Sequence, residues 1–145
     1  MNEKTIKLVL TYYGIIYSKK NSKQIIINSR TKRPMIVSSK RARQMENDMA
    51  DQLSSAYRKL SPAAIPFATI CGKPLRISIE IWQKDRTPRD LDNQATSILD
   101  ALVAAGVIVD DNIKVVQELG VRMMGVDESR PRATICIEAI RESEE

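Results

Sequence analysis

Five aspartates crowd the stretch PRDLDNQATSILDALVAAGVIVDD, which runs from Pro88 to Asp111. They are Asp90, Asp92, Asp100, Asp110 and Asp111, in a chain whose net charge is +5. Carboxylates gathered at one place repel one another, and unpartnered ones take up protons. A hard divalent ion resolves that conflict. Mg²⁺ is held by one or two carboxylates, with waters and substrate phosphate oxygens completing its shell. Such an ion orients a water and stabilises the attacking and leaving oxygens in phosphodiester hydrolysis. The basic loop ahead of Asp90, with Lys84, Arg86 and Arg89, is placed to hold the phosphate strand. A plainer reading stands beside this one: Asp92 and Asn93 cap a helix, and Asp110-Asp111 form a turn.

The rest of the composition narrows the chemistry. The chain has no histidine, which removes Ser-His-Asp triads, Cys-His pairs and His-ligated zinc. Cys71 and Cys136 match no zinc or redox spacing and are expected to be reduced, buried thiols. A calcium EF-hand fits poorly. With Asp90 at loop position 1, Gln94 falls at position 5, no glycine falls at position 6, and Ala101 falls at position 12. The charge is also uneven: Met1 to Arg43 carries +10 and the remainder −5. A basic first third favours a polyanionic partner, because neutralising phosphates releases counterions.

The acids need elements to position them. Ala95, Ile98, Leu99, Leu102 and Val103 give a helix, stopped at Gly106. A helix of about 13 residues is about 20 Å long. Asp110 and Asp111 therefore meet Asp90 and Asp92 only if Val107–Val109 folds back along the sheet, which is the expectation here. Upstream, Thr5–Thr11 alternates as a strand, with Ile6, Leu8 and Leu10 on one face. Residues 24–28 and 35–37 read as a hairpin around Ser29–Arg33. A helix begins at Ser38 or Ser39 and carries Ala42, Met45, Met49, Leu53, Ala56 and Leu60 on one stripe, ending at Ser61-Pro62. Ser61–Gly72 reads as a loop. Leu75, Ile77, Ile79 and Ile81 mark a strand, and Ile113–Met124 and Ala133–Ile140 two more. The order β-β-β-α-β-α-β-β indicates an α+β domain with helices packed on a mixed sheet, one domain over residues 1–145. No apolar run is long enough to span a membrane and no signal-peptide pattern is present, so a cytoplasmic protein is expected.

At this point the acidic motif acquires a relative. Asp90-Leu91-Asp92-Asn93, then Leu99-Asp100-Ala101-Leu102, then Asp110-Asp111, resembles the signature of the RusA-type Holliday junction resolvase family. Ser18-Lys19-Lys20-Asn21-Ser22 resembles that family's basic N-terminal motif. The resemblance implies a RusA-like fold and an endonuclease that resolves four-way DNA junctions in recombination and repair. It implies a homodimer, each subunit cutting one strand, with Mg²⁺ or Mn²⁺. By position, Asp90, Asp92 and Asp111 match the family's essential acids. Asp110 is expected to assist in metal binding, and Asp100 to be structural. The expected DNA contacts are Lys19, Lys20, Asn21, Lys23, Lys32, Arg33, Lys84, Arg86 and Arg89. One departure stands out: Thr96 occupies the place of a family lysine, four residues after Asp92 and on the same helical face. Either Lys114 or Arg89 substitutes for it, or the protein binds junctions with weak or absent cleavage. A structural module whose acids only cap helices is the remaining alternative.

Overall fold

A computed structural model describes residues 6–17, 23–63, 65–72 and 74–140. Its centre is strand β4, Leu75–Gln83, in which Leu75, Ile77, Ile79 and Ile81 are all buried. The strict alternation in sequence sends these four side chains to one face of a pleated strand. Strand β1, Lys7–Tyr13, alternates likewise, burying Leu8, Leu10 and Tyr12. Ile6 lies ahead of the strand and is exposed, so Tyr12 completes the apolar row expected to begin at Ile6. Strands β5, Val116–Val126, and β6, Arg132–Ala139, complete a four-stranded sheet in the order β1-β6-β4-β5. The β4–β5 pair is parallel; the other two are antiparallel. The sheet is thus mixed, as expected. Strand β5 begins at Val116, three residues later than the apolar residues from Ile113 suggest, and Ile113 is 81% exposed.

Helix α1, Lys40–Leu60, starts because Ser39 caps it: the Ser39 Oγ accepts from the Ala42 N–H at 3.1 Å. Ala42, Met45, Met49, Leu53 and Tyr57 recur at helical spacing and are buried. Burying each of the larger side chains is worth about 1.5–3 kcal/mol. The helix ends at Ser61, ahead of Pro62, with Arg58 and Lys59 beside its carbonyl end, where cations are favoured. It packs on β1 and on helix α3, Leu91–Ala104. Gln52 of α1 also reaches the main chain of the edge strand. Its Oε1 accepts from the Tyr13 N–H and its Nε2 donates to the Tyr13 carbonyl, both at 2.9 Å.

Ser61–Gly72 is not simply a loop. Phe67–Cys71 forms a one-turn helix, α2, with Pro66 at its head and Gly72 in the left-handed conformation at its end (φ 64°). Phe67 is buried, and its N–H donates to the Val107 carbonyl at 2.8 Å, tying α2 to the chain that leaves α3. Of the two prolines that suggest a loop here, Pro66 stands immediately ahead of the helix, where its missing N–H costs no helical bond. Cys71 and Cys136 are free and half-buried, and burial raises both thiols above their ordinary pKa.

Among the described residues, strands β2, Lys23–Ile27, and β3, Pro34–Ser38, pair only with each other, as a separate antiparallel ribbon. Its turn is built by Asn28. The Asn28 Oδ1 accepts from the N–H of Arg30 at 2.8 Å and of Thr31 at 3.2 Å. Lys32 follows with φ 60°, the one non-glycine residue at positive φ among the described residues. No helix among the described residues is long and apolar enough to cross a membrane.

Candidate functional site

The acids are positioned by a crossover: β4 ends at Gln83, a loop leads to α3, and α3 returns the chain to the start of parallel β5. The loop organises itself around a carboxylate that its charge pattern hides. Asp85 Oδ1 accepts from the Thr87 N–H at 3.1 Å and from Arg89 Nη1 at 3.0 Å, and Arg89 also donates to Gln83 Oε1 at 3.0 Å. The Thr87 contacts and then Arg89 hold the Asp85 carboxyl below its ordinary pKa. Lys84 and Arg86 remain exposed on this loop, while Arg89 is held as its brace.

Asp90 occupies the N-cap position of α3, two residues before the Asp92-Asn93 cap suggested by sequence, and its side chain makes no capping hydrogen bond. An Asp at this position normally accepts from the helix's free N–H groups. Here Asp90 Oδ2 accepts from Asn93 Nδ2 at 3.2 Å. Asp92 lies in the first turn and is exposed. Both carboxylates therefore face solvent at the positive end of the helix dipole. Thr96 is also exposed, one turn along, and its Oγ1 donates to the Asp92 carbonyl at 2.9 Å. It supplies neither charge nor a free hydroxyl proton to the acids.

The inner face of α3 carries two polar residues that an apolar-stripe reading passes over. Gln94 and Ser97 are 1% and 3% exposed. Gln94 Nε2 donates to the Ile16 carbonyl at 3.3 Å, and Ser97 Oγ to the Tyr17 carbonyl at 3.2 Å. They pin the segment leaving β1 to the acid-bearing helix. Gly14 makes the turn into that segment possible: the Tyr12 hydroxyl lies where a Cβ would stand, and the Gly14 N–H donates to Pro131 O at 2.9 Å. A small cleft opens beside Gln94, lined also by Trp82, Lys84 and Arg89. The Gln94 Oε1 has no hydrogen-bond partner among the described residues.

Asp110 and Asp111 lie at the other end of α3. Gly106, in the left-handed conformation, turns the chain, and Val107 and Ile108 are buried against the helix end, both N–H groups donating to Leu102 O. Asn112 then accepts from the Val115 and Val116 N–H groups at the start of β5. Val116 pairs with Leu75, at the opposite end of β4 from Gln83. The expected fold-back does not occur. Val107–Val109 closes the helix instead of returning along the sheet, and a helix of this length holds the two acid pairs about 20 Å apart. Among the described residues, no group of three or more His, Cys, Asp or Glu is placed to hold a metal ion. Asp110 serves the turn: its Oδ1 accepts from the Asp111 N–H at 2.7 Å and its Oδ2 from Asn112 Nδ2 at 2.9 Å. These bonds, the Asp111 N–H first, hold its carboxyl below the ordinary pKa. Asp111 is exposed. Lys114 lies at this end too, away from Asp92. Asp100 is half-buried in mid-helix and has a partner.

The expected DNA contacts divide between two places. Lys32 and Arg33 are exposed at the ribbon turn, and Lys23 opens β2. Lys84, Arg86 and Arg89 lie on the loop below Asp90. Lys19, Lys20 and Asn21 fall outside the described residues. Two further arginines line the sheet end that carries Asp90. Arg132 stacks on Trp82 at 4.1 Å and is held by Asp127 at 2.8 Å; Arg130 stacks on Tyr13 at 4.6 Å. Tyr13, Arg132 and Trp82 are direct partners across β1, β6 and β4, a row that needs the strand register to be seen.

A mixed sheet whose crossover helix presents exposed acids beside a basic loop is a frame for work on a phosphate chain, and the comparison with known families agrees. The chain is related to endodeoxyribonucleases. The family model described as Endodeoxyribonuclease RusA matches residues 17–138, and the chain belongs to that family. No curated protein matches it.

Proposed function

We propose that this chain is a metal-dependent endonuclease that resolves four-way DNA junctions as a two-fold dimer. The observation that carries the reading is Asp90: it stands at the N-cap and makes no capping bond. A carboxylate that leaves the helix N–H groups uncapped and accepts from the Asn93 side chain through one oxygen, two residues from exposed Asp92, is available to a ligand. Membership of the RusA family supports DNA as the substrate.

The donor set fits a hard cation, since Mg²⁺ and Mn²⁺ take carboxylate oxygens together with water and phosphate oxygens. Asp90 and Asp92 would hold the ion from one chain, and Asp111 from a second copy. A divalent ion bound there supplies positive charge that orients the attacking water and stabilises the leaving oxygen. The loop residues Lys84 and Arg86 and the ribbon residues Lys32 and Arg33 grip phosphates, with Lys19, Lys20, Asn21 and Lys23 as the remaining candidates. Phosphate contacts position the strand and carry little base information, so junction shape sets selectivity.

The dimer reading grows from the separation of the acids. Strand β5 is a long edge with Leu119, Met124 and Val126 exposed, and no strand covers it among the described residues. Such an edge invites pairing. Antiparallel two-fold pairing of β5 with its copy sets the Val116 end of one beside the Val126 end of the other. Asp111 lies just ahead of Val116, and Val126 pairs with Gln83, where the loop to Asp90 begins. Two copies so arranged approach each other's acids in two equivalent sites, one for each strand to be cut.

A second reading is a junction-binding protein with weak or no cleavage. The observation favouring it is Thr96, which brings no charge and whose hydroxyl is bonded to the main chain. One experiment separates the two. The protein is incubated with a labelled four-way junction and with matched duplex, with and without Mg²⁺ or Mn²⁺. Paired metal-dependent nicks in the junction support the first reading. Binding without nicks, restored by Thr96→Lys, supports the second. No preference for the junction overturns both.

A further inference from the structure

The β2–β3 ribbon combines three properties that the sheet and helices do not share. It is basic without opposition: no Asp or Glu lies between Glu3 and Glu46. It is apolar where it should be wet: Ile25 and Ile27 are 72% and 71% exposed on one strand. Among the described residues its strands pair only with each other, and neither isoleucine joins the core cluster. Its tip also holds a lysine where glycine or asparagine is favoured. Lys32 sits at φ 60°, in a turn that Asn28 closes from the side chain and from its carbonyl. A residue kept against its backbone preference points to a use for its side chain.

Exposed isoleucines on a free ribbon need a cover, and the charge around them selects its chemistry. Arg30, Lys32 and Arg33 exclude a basic partner and favour a polyanion. A polyanion with an apolar surface to offer is DNA whose bases have been unstacked. Proteins that kink DNA press apolar side chains between base steps while cations hold the flanking phosphates. A two-stranded ribbon is narrow enough to enter a DNA groove. Ile25 and Ile27 point to one side of β2, about 7 Å apart along the strand, a spacing of about two base steps.

We propose that the β2–β3 ribbon opens the junction: Arg30, Lys32 and Arg33 clamp phosphates at its tip, and Ile25 and Ile27 press on bases unstacked at the crossover. This rests on the reading of the chain as a junction-binding protein and adds to it the element that distorts the DNA. The ribbon lies outside the acidic helix, so its action on base stacking is separable from hydrolysis.

The test uses the full chain and a four-way junction carrying 2-aminopurine beside the crossover, whose fluorescence rises when the base is unstacked. Binding is followed in the same samples by anisotropy of a label on a distant arm. Wild-type protein is expected to raise the 2-aminopurine signal severalfold on binding. The variant Ile25→Thr with Ile27→Thr keeps strand-favouring side chains and is expected to bind with that rise lost. Lys32→Gly relieves the backbone and removes the cation. It is expected to melt at a higher temperature and to bind with a smaller salt dependence. An unchanged 2-aminopurine rise in the double threonine variant overturns the proposal, as does its conversion from dimer to monomer by light scattering, which would make the ribbon a subunit contact. Wild-type binding and cutting with no rise also overturns the ribbon's role and leaves the junction reading intact. Wild-type protein that does not bind the junction overturns that reading and this one together.

Discussion

The two ends of helix α3 carry the same residue type in two different states. At its head, Asp90 occupies a capping position and does not cap, and Asp92 beside it is exposed. At its foot, Asp110 occupies a turn and closes it with both carboxylate oxygens. The sequence offers two readings, a cap at the head with a turn at the foot, or all the acids on one metal; the turn at Asp110 is present, while Asp90 makes no capping bond. What decides is where the nearest main-chain N–H groups point. The Asp111 N–H is aimed at Asp110 Oδ1. The first N–H groups of α3 are not met by Asp90, whose carboxylate turns to Asn93 instead. A carboxylate bonded through both oxygens, as Asp110 is, must lose a bond to serve a ligand; Asp90 accepts through Oδ2 and need not.

The contrast can be broken at its strongest point first. Asp90→Asn and Asp92→Asn are each expected to reduce metal-dependent junction cleavage by more than about 100-fold, since even outer partners of metal sites act on a 10–100-fold scale. Junction affinity measured without metal is expected to persist. If either variant cuts normally, the head of α3 is not the catalytic end.

Mixing subunits sharpens the relation between the two ends. Asp92→Asn and Asp111→Asn proteins are each expected to be inactive alone. Refolded together, their heterodimers contain one site with both lesions and one with neither, so nicking of a single strand should return. Sites formed within one chain would each keep a lesion, and no activity would return. Within the foot, Asp110→Asn is expected to retain most of the cleavage that Asp111→Asn loses. Its cost appears instead as a lower thermal midpoint, from the weakened turn.

The smallest effect concerns the loop below the head. Asp85 has a lowered pKa, so its contribution to stability is present above the unfolded carboxyl value and is lost as pH falls through the lower folded value. Asp85→Asn is therefore expected to be less stable than wild type at neutral pH, with the difference closing below pH 3.8. Paired melting curves across that range check the sign. A difference that widens on acidification would mean that Asp85 does not brace the loop.

Much of this architecture is legible in the chain because it depends on neighbours in sequence. The alternation through Leu75–Ile81 and the stripe from Ala42 to Leu53 give β4 and α1 directly, and Ser39 gives the start of α1. Gly106 gives the end of α3. The one-turn helix α2 was hidden by prolines that look like breaks. Asp85 had a signal, since Asp85-Arg86-Thr87 is an Asx-turn pattern and Arg89 follows at i+4, but the surrounding positive charge draws attention away from it. Gln94 and Ser97 look like surface residues because their partners, the carbonyls of Ile16 and Tyr17, come from a remote part of the chain. The placement of Asp111 was beyond reach for the same reason. It depends on β5 lying beside β4 and parallel to it, a pairing between residues about 40 apart in sequence that the strand–helix–strand order permits but does not fix.

The amide of Gln52 has a bearing on how many copies can join. A sheet has two edges, and a chain with both open can add neighbours without end, as a filament does, whereas one open edge permits a closed pair and then stops. By holding both main-chain groups of Tyr13, Gln52 obstructs the β1 edge and leaves growth to β5. Replacing it with alanine would free those groups, and the variant's excess product in concentrated solution should be polymer in place of dimer.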